Sequence, residues 1–192
     1  VFIMANKDAP FGFKLVGKIG SSVQNNGTTE YEIASGATGS IFSGDPVRMT
    51  AAGTILVCDA AGEQPILGIF RGCKFVDTDG SVVFKAHYPS GQTSTSTITA
   101  LVEDDPNNLY EVQCTGSLAL AAVGANVDLA YTAGSTVTGQ SKAEVDSGAT
   151  SAAENFRIVG FSKDPDNDER GSANVNVIVK INEHFYSTTT GV

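Results

Sequence analysis

The sequence predicts an all-β fold: two consecutive small β-barrel or β-sandwich modules at residues 31–106 and 107–192, preceded by an extended N-terminal arm at residues 1–30. Three observations predict it. Four short sequence blocks recur in the same order, short β-branched or aromatic segments alternate with glycine turns, and no long helical period is present. An ordered repeat favours a duplicated module, because each block alone is weak but their order and spacing agree.

The repeat consists of four blocks followed by an alternating strand-like run. In the first copy the blocks begin at Tyr31, Gly44, Gly53 and Ile66, and in the second at Tyr110, Gly124, Gly134 and Ile158. The first two blocks are offset by 79 and 80 residues and the last by 92, which predicts an insertion around residues 141–155. The alternating runs at 98–102 and 175–181 end the copies and predict half-buried strands.

The alternation also predicts which side chains form the core. We expect ten aliphatic residues to be mostly buried: Val47, Ile55, Leu67, Ile69, Val127, Val137, Ile158, Val175, Val177 and Val179. The motif at residues 43–47 is interpreted as architecture, with Gly44 allowing a tight backbone and Asp45 bonding the backbone that follows it. Short helical turns are predicted at residues 151–154, which have capping-box spacing, and at 119–123.

The N-terminal arm has no sustained period of either kind, so it cannot close a core of its own. We expect it to be extended, to pack little against its own body and to contact a neighbouring subunit or a shell; the alternative is that it adds a strand to its own body. The residues expected to make this contact are the aromatic and basic ones: Phe2, Lys7, Phe11, Phe13, Lys14 and Lys18. Met4 resembles a natural start, with residues 1–3 as an extension or Val1 as an alternative start.

Charge is distributed unevenly along the chain. The net charge is −9, with +2 in residues 1–20 and −11 in residues 21–192. This balance argues against nucleic acid as the main partner, because phosphate binding needs a basic surface. The basic arm could be steered onto an acidic partner or could be an ordinary disordered terminus. No apolar stretch approaches the roughly 20 residues that span a bilayer, and no signal peptide is recognisable, so we expect no membrane partner.

Motifs for chemistry are absent from the sequence. It has no glycine-rich phosphate loop and no nucleophile elbow, and His87 and His184 are interpreted as structural. The three cysteines lack zinc-ligand spacing and fit small buried thiols in a reducing compartment, although a Cys58–Cys73 bridge is conceivable. We therefore expect no catalytic residue, no cofactor and no enzymatic activity.

Two acidic segments are candidate cation sites, the loop at residues 164–169 and, more weakly, the turn at residues 103–105. Asp164, Asp166 and Asp168 offer carboxylates at alternate positions, as a calcium loop does. However, Glu169 stands where such a loop needs glycine, and Val175 stands where it needs a bidentate glutamate. The bland interpretation, a solvated acidic turn, is the commoner one.

A family resemblance runs along nearly the whole chain. The residues that carry it are Met-Ala-Asn-Lys-Asp-Ala-Pro-Phe-Gly-Phe at 4–13, Ile-Phe-Ser-Gly-Asp-Pro-Val at 41–47, Glu-Asp-Asp-Pro-Asn at 103–107, Phe-Arg-Ile-Val-Gly at 156–160 and Val-Lys-Ile-Asn-Glu-His at 179–184. Their order resembles that of a group of small virion structural proteins of tailed bacteriophages and cyanophages, and the strand-turn pattern is similar to that of lambda-type head decoration proteins.

The resemblance implies a β-rich cement protein without catalysis. Such a protein is made in the bacterial host cytoplasm, binds the major capsid protein on the outside of the virion capsid, stabilises the shell and is often a homotrimer at three-fold positions. Two other classes stay open. A receptor- or glycan-binding tail module would use exposed loop aromatics, for which Tyr88 and Tyr131 are the candidates, and a trimeric β-enzyme would use a site between subunits. A major capsid protein is disfavoured because the chain is short and lacks a long spine helix.

Overall fold

The protein is all-β and its strands form two six-stranded sheets. The computed structural model describes residues 6–20, 27–61, 65–148 and 154–187. The predicted all-β class is confirmed. Every strand pairing among the described strands is antiparallel.

The first sheet is built from consecutive strands in the order β2-β7-β5-β3-β4, with β6 paired to the far half of β5. Its strands are β2 (Thr29–Ile33), β3 (Pro46–Met49), β4 (Ile55–Val57), β5 (Ile66–Val76), β6 (Val82–Lys85) and β7 (Ile98–Glu103). A turn at residues 77–80 connects β5 to β6, where Gly80 has a φ of 85° and donates its N–H to Asp77 O at 3.0 Å.

The second sheet has the order β1-β8-β12-β11-β9-β10. Its strands are β1 (Lys14–Lys18), β8 (Asn108–Gln113), β9 (Asn126–Ala130), β10 (Glu144–Asp146), β11 (Phe156–Phe161) and β12 (Asn176–Ile181). Without β1, the order β8-β12-β11-β9-β10 matches β2-β7-β5-β3-β4 of the first sheet, strand for strand. The end strands of each sheet also approach each other, because single parallel bridges join Glu32 to Thr54 and Cys114 to Val145.

One repeat block is not where the sequence pattern predicted it. Residues 134–137 form no strand, and Val137 is 93% exposed, so its predicted burial is wrong. The strand that pairs with β9 at the end of the second sheet, as β4 pairs with β3 in the first, is β10, and its Val145 is fully buried. The loop before β10 spans residues 131–143, whereas only residues 50–54 separate β3 from β4. The extra length of the second sheet therefore lies mainly before β10, and not at residues 141–155 as predicted.

The core consists of two clusters that share β5. The other nine predicted core residues are at most 1% exposed, which confirms their burial. Leu67 and Phe70 of β5 pack in the first cluster with the first sheet, while Ile66 and Ile69 pack in the second cluster with the second sheet. The pairing of β5 with β3 skips Leu67, and such a bulge lets residues three apart share a face, so this one strand supplies side chains to both clusters.

The cysteines follow the same division. Cys58 lies in the second cluster and Cys73 in the first, so the conceivable bridge between them is not formed. Cys58, Cys73 and Cys114 are all free and at most 2% exposed, as expected for small buried thiols. Burial raises the pKa of the Cys73 thiol to about 11, which keeps it protonated and unreactive.

Two details of the turns complete the fold. A 3-10 turn at Leu120–Ala122 confirms the turn predicted there, whereas residues 151–153 of the other predicted turn lie outside the described residues. Gly44 has a φ of 99°, as its interpretation requires. Asp45, however, does not bond the following backbone: its Oδ2 accepts the N–H of Phe42 at 2.8 Å, three residues before it.

Candidate functional site

The N-terminal residues 6–13, here called the strap, cross the second sheet and are bonded to it. Gln113 of β8 holds the strap with both ends of its amide, donating to Lys7 O at 2.7 Å and accepting from Ala9 N at 3.1 Å. Asn6 donates to Glu169 O at 3.0 Å and accepts from Glu169 N at 3.1 Å. The prediction that the arm packs little against its own body is therefore wrong for the described part of the arm.

The last residue of the strap, Phe13, belongs to the hydrophobic core of the second sheet. Phe13 is fully buried in the second cluster, stacked on Phe156 with ring centroids 4.5 Å apart and edge-on to Tyr110 at 6.5 Å. Its N–H donates to Gly44 O at 2.9 Å, which ties the strap to the start of β3. Phe13 therefore stabilises its own subunit and is not available as a contact to another one, which corrects its predicted role.

After Phe13 the chain adds a strand to its own body, the alternative that the sequence left open. β1 pairs antiparallel with β8, with Lys14 opposite Glu111. Lys18 forms an ion pair with Asp105 and is half-buried. Lys7 and Lys14 are exposed, Phe11 is half-buried, and Phe2 lies outside the described residues. Of the six predicted contact residues, Lys7 and Lys14 are thus the two that the structure leaves fully at the surface.

The side of the second sheet that faces away from its core, here called the outer face, is partly apolar. A groove of about 410 Å³ lies on it, with an apolar floor and a polar edge made by Glu111, Ser162 and Lys163. The floor consists of Val16 from β1, Leu109 from β8, Phe161 from β11 and Ile178 from β12. Leu109 and Ile178 alternate with the buried Tyr110 and Val177, so their half-exposure follows from strand geometry, whereas Phe161 lies opposite Val177 and also packs against the second cluster.

The part of the outer face formed by β1, β8, β11 and β12 is also basic, whereas β9 and β10 at the other side of the sheet carry Asp128, Glu144 and Asp146. Lys180 of β12 lies opposite Arg157 of β11, and Lys14 of β1 lies opposite Glu111 of β8. These strands thus bring three cations and one carboxylate to the outer face of a chain whose net charge is −9. Glu111 accepts a hydrogen bond from the Ser162 hydroxyl. An apolar groove flanked by basic side chains suits a partner surface with apolar and acidic groups.

Sequence reasoning did not find this face, although part of the signal was present. In β12, Ile178 and Lys180 stand opposite the buried valines, and the alternation alone identifies them as outward-facing. What was missing was the register that places Arg157 beside Lys180 and Lys14 beside Glu111. Register depends on pairings between strands far apart in sequence, which no local pattern fixes.

The acidic loop does not form a cation site. Within the described residues, no group of three His, Cys, Asp or Glu side chains could hold a metal ion. Asp164 instead accepts the N–H of Asp166 at 3.1 Å, which closes a local turn. The buried Asn167 donates to Lys7 O at 2.8 Å and to Asn174 O at 2.6 Å. The weak candidacy of Asp164, Asp166 and Asp168 is therefore overturned, and the loop's role is to hold the strap.

Two ionisable groups, Asp45 just before β3 and His184 just after β12, are buried in the fold. Burial raises the pKa of Asp45 to about 6, although the Phe42 N–H and the Tyr131 hydroxyl, at 3.4 Å, bond its carboxylate. Burial lowers the pKa of His184 to about 4. His184 Nδ1 accepts the N–H of Tyr186 at 3.1 Å within the segment that returns from β12 to the first sheet. His184 is thus a neutral structural histidine at pH 7, in line with its interpretation from sequence.

The two loop aromatics proposed for a receptor-binding module differ in their exposure. Tyr88 is fully buried in the first cluster, and its hydroxyl donates to Ala37 O at 3.1 Å. Tyr131 is half-buried and packs against both clusters. Tyr88 is therefore wrong as an exposed ligand-binding aromatic, because its ring fills the core.

Comparison of the chain with protein-family models, with curated proteins and with solved structures found no match. A separate search of the described residues for a helix long and apolar enough to cross a membrane also found none.

Proposed function

We propose that the chain is a non-enzymatic decoration protein that binds the outside of a tailed-phage capsid through the outer face of its second sheet and stabilises the shell. The observation that carries this proposal is the outer face itself, where strands β1, β11 and β12 carry Lys14, Arg157 and Lys180 on the same side as an apolar groove, in a chain whose net charge is −9. The ordered sequence resemblance supports the same function. A protein that binds only the assembled shell stabilises it by mass action, without any chemistry.

The fold fits a protein evolved by duplication. We infer that the two sheets are two copies of one five-stranded module, each curled into a small barrel. The shared strand order, the bridge between end strands in each copy, and the positive φ of Gly44 and Gly124 immediately before β3 and β9 support this inference. The boundary near residue 106 falls between β7 and β8, and the strap then closes the second copy.

The proposed assembly is a homotrimer at three-fold positions of the capsid. A three-fold assembly uses one heterologous patch three times and matches the symmetry of the lattice site. The exposed Lys7 and Lys14 lie beside the outer face and are the proposed contacts of the N-terminal segment with the acidic major capsid protein surface. Electrostatic attraction of this kind weakens as salt rises.

Reversing charge on the outer face tests the docking surface. Capsids that lack this protein are mixed with the purified chain, and bound protein is measured by co-sedimentation across a range of salt. The double variant R157E/K180E should lose affinity by about tenfold or more, because two attractions become repulsions. The matched control is Lys74→Glu on the first sheet, where Lys74 lies 3.9 Å from Glu30. It should bind as the natural chain does.

The apolar groove is tested in the same assay. Ile178→Asp places a charge on the groove floor, and Leu101→Asp places one at a half-exposed position of the first sheet. The proposal predicts loss of binding for Ile178→Asp alone. If the first-sheet variants lose binding while the second-sheet variants retain it, the docking face is wrong; if the natural chain never binds capsids at any salt, the proposed function is wrong.

A further inference from the structure

A second cavity, separate from the groove's apolar floor, lies where the strap meets both sheets. It has a volume of about 300 Å³, in the lower range for small-ligand sites. Phe11 of the strap, Arg71 of β5 and Asn176 of β12 all contribute to its wall. The cavity thus draws residues from three parts of the fold that are distant in sequence, which gives it a fixed shape.

One wall of the cavity holds a buried polar atom without a partner. Asn176 is 4% exposed, and its Oδ1 accepts no hydrogen bond. Buried polar groups are nearly always bonded, so an orphan acceptor in a cavity wall indicates a missing donor. The backbone N–H of Asn176 already donates to Asn167 O at 3.0 Å, so only the side-chain oxygen lacks a partner. A ligand that offers an O–H or N–H would satisfy this oxygen.

The remaining walls mix donors with acceptors beside an apolar surface. Gln140 and Lys14 present exposed donors, while Glu111 and Asp164 present carboxylate oxygens. The positive charge of the nearby Arg71 is balanced by Glu103, with 2.8 Å between Nη2 and Oε2. The half-buried ring of Phe11 supplies the apolar contact. No single sign of charge dominates the cavity.

We propose that this cavity binds a neutral sugar unit of a glycan. Each hydroxyl of a sugar both donates and accepts, so it can satisfy Asn176 Oδ1 and Gln140 together, while the C–H face of the ring packs on Phe11. An anion such as phosphate is opposed by the carboxylates of Glu111 and Asp164. A cation is opposed by Lys14. The site goes beyond shell stabilisation, and because its wall shares Lys14 and Glu111 with the docking face, it is the free chain that would hold the glycan.

The experiment is a titration of the full chain followed by amide chemical shifts in NMR. The probes are glucose, galactose, mannose and N-acetylglucosamine, with inorganic phosphate and arginine amide as charged controls. At least one sugar should saturate with a Kd of about 1–10 mM, the range expected for a ligand of about 12 heavy atoms. The shifts should centre on residues around Asn176 and Phe11. Saturation by a charged control with no response to any sugar would overturn the proposal, as would no response to any probe.

Two variants and a matched control localise the binding. Asn176→Leu removes the acceptor at similar volume, and Gln140→Ala trims an exposed side chain that the fold does not need. Each should weaken the sugar affinity about fivefold, the ratio for one lost hydrogen bond. Gln92→Ala makes the same truncation as Gln140→Ala but outside the cavity, and should leave affinity unchanged. Equal affinity for Gln140→Ala, Asn176→Leu and the natural chain would overturn the site. Capsid binding by the same variants is expected to stay intact, so failure of this site and failure of the proposed docking face are distinguishable.

Discussion

The two sheets share a strand order but differ in what surrounds it. The second sheet receives β1 and the strap from the N-terminus, whereas the first sheet receives β6 from its own long hairpin. Their outward positions differ as well. On the first sheet Glu30 and Glu32 of β2 lie near Lys74, whereas on strands β1, β8, β11 and β12 of the second sheet Lys14, Arg157 and Lys180 accompany Glu111. Inward positions are alike, with Val47 of β3 and Val127 of β9 both fully buried.

In these strands the residues that form the core alternate with the residues proposed to bind the capsid. Inward side chains must fill a core, so they remain aliphatic in both sheets. Outward side chains are free of that constraint, so four strands of the second sheet, β1, β8, β11 and β12, can carry a basic docking face, whereas β2 of the first sheet carries Glu30 and Glu32. The predictions below test this division, from the largest expected effect to the smallest.

The strap is expected to be integral to the second sheet. Phe13→Ala removes a stacked ring from the second cluster and should lower the free energy of unfolding by about 3–5 kcal/mol. Phe11→Ala, at a half-buried position two residues earlier, should cost about 1 kcal/mol or less. Urea denaturation of both variants makes the comparison. Equal, small losses for the two would show that the strap is a loose arm and that the second sheet is complete without it.

Asp45, the buried carboxyl that follows Gly44 before β3, has no counterpart in the second sheet. The residue that follows Gly124 before β9 is Ala125. Because the pKa of folded Asp45 is raised to about 6 from 3.8, the unfolded chain ionises first as pH rises. The contribution of Asp45 to stability is therefore present below about pH 4 and is lost as pH rises to about 6. Asp45→Asn cannot ionise and can still accept the Phe42 N–H.

The stability of Asp45→Asn relative to the natural chain should accordingly rise by about 2 kcal/mol between pH 4 and pH 7. Unfolding free energies measured by urea at several pH values give this difference directly. Asp166→Asn, at an exposed loop position, is the matched control and should show a flat difference. A difference that falls with rising pH would mean that the folded carboxylate is stabilised by its surroundings rather than opposed by burial.

The assignment of β10 as the counterpart of β4 is tested by two valines. Val145 is fully buried in β10, so Val145→Ala should cost about 2 kcal/mol, the value of two buried methyl groups with some cavity. Val137, which the sequence pattern had placed in this strand, is 93% exposed, and its truncation should change stability by about 0.5 kcal/mol or less. The reverse ranking would restore the sequence-based alignment of the repeat.

Much of the fold was predictable because its strands satisfy a local rule. The alternation at 175–181 and 98–102 identified β12 and β7, and the block at Ile66 identified the start of β5. β1 was missed because only five residues, Lys14–Lys18, carry it, and its partner β8 is about ninety residues away. β10 was missed because Val145 is its only apolar residue, while residues 134–137 matched the repeat better.

The proposed docking face was less predictable than the fold. Its residues lie on four strands, and only their register brings them to one surface. The aromatic and basic residues of the arm were expected to form the contact because nothing local indicated a core role for Phe13. Burial of that ring depends on the second cluster, which is assembled from segments between residues 58 and 181.

Imaging a capsid decorated with this protein tests the central claim most directly. A reconstruction of purified virions, or of capsids to which the chain has been added, would show which sheet faces the shell. The account predicts density for the chain at three-fold positions, with the outer face of the second sheet against the capsid and the exposed side of Glu30 and Glu32 turned to solvent. Density with the first sheet against the shell, or decorated capsids with no density for the chain, would contradict it.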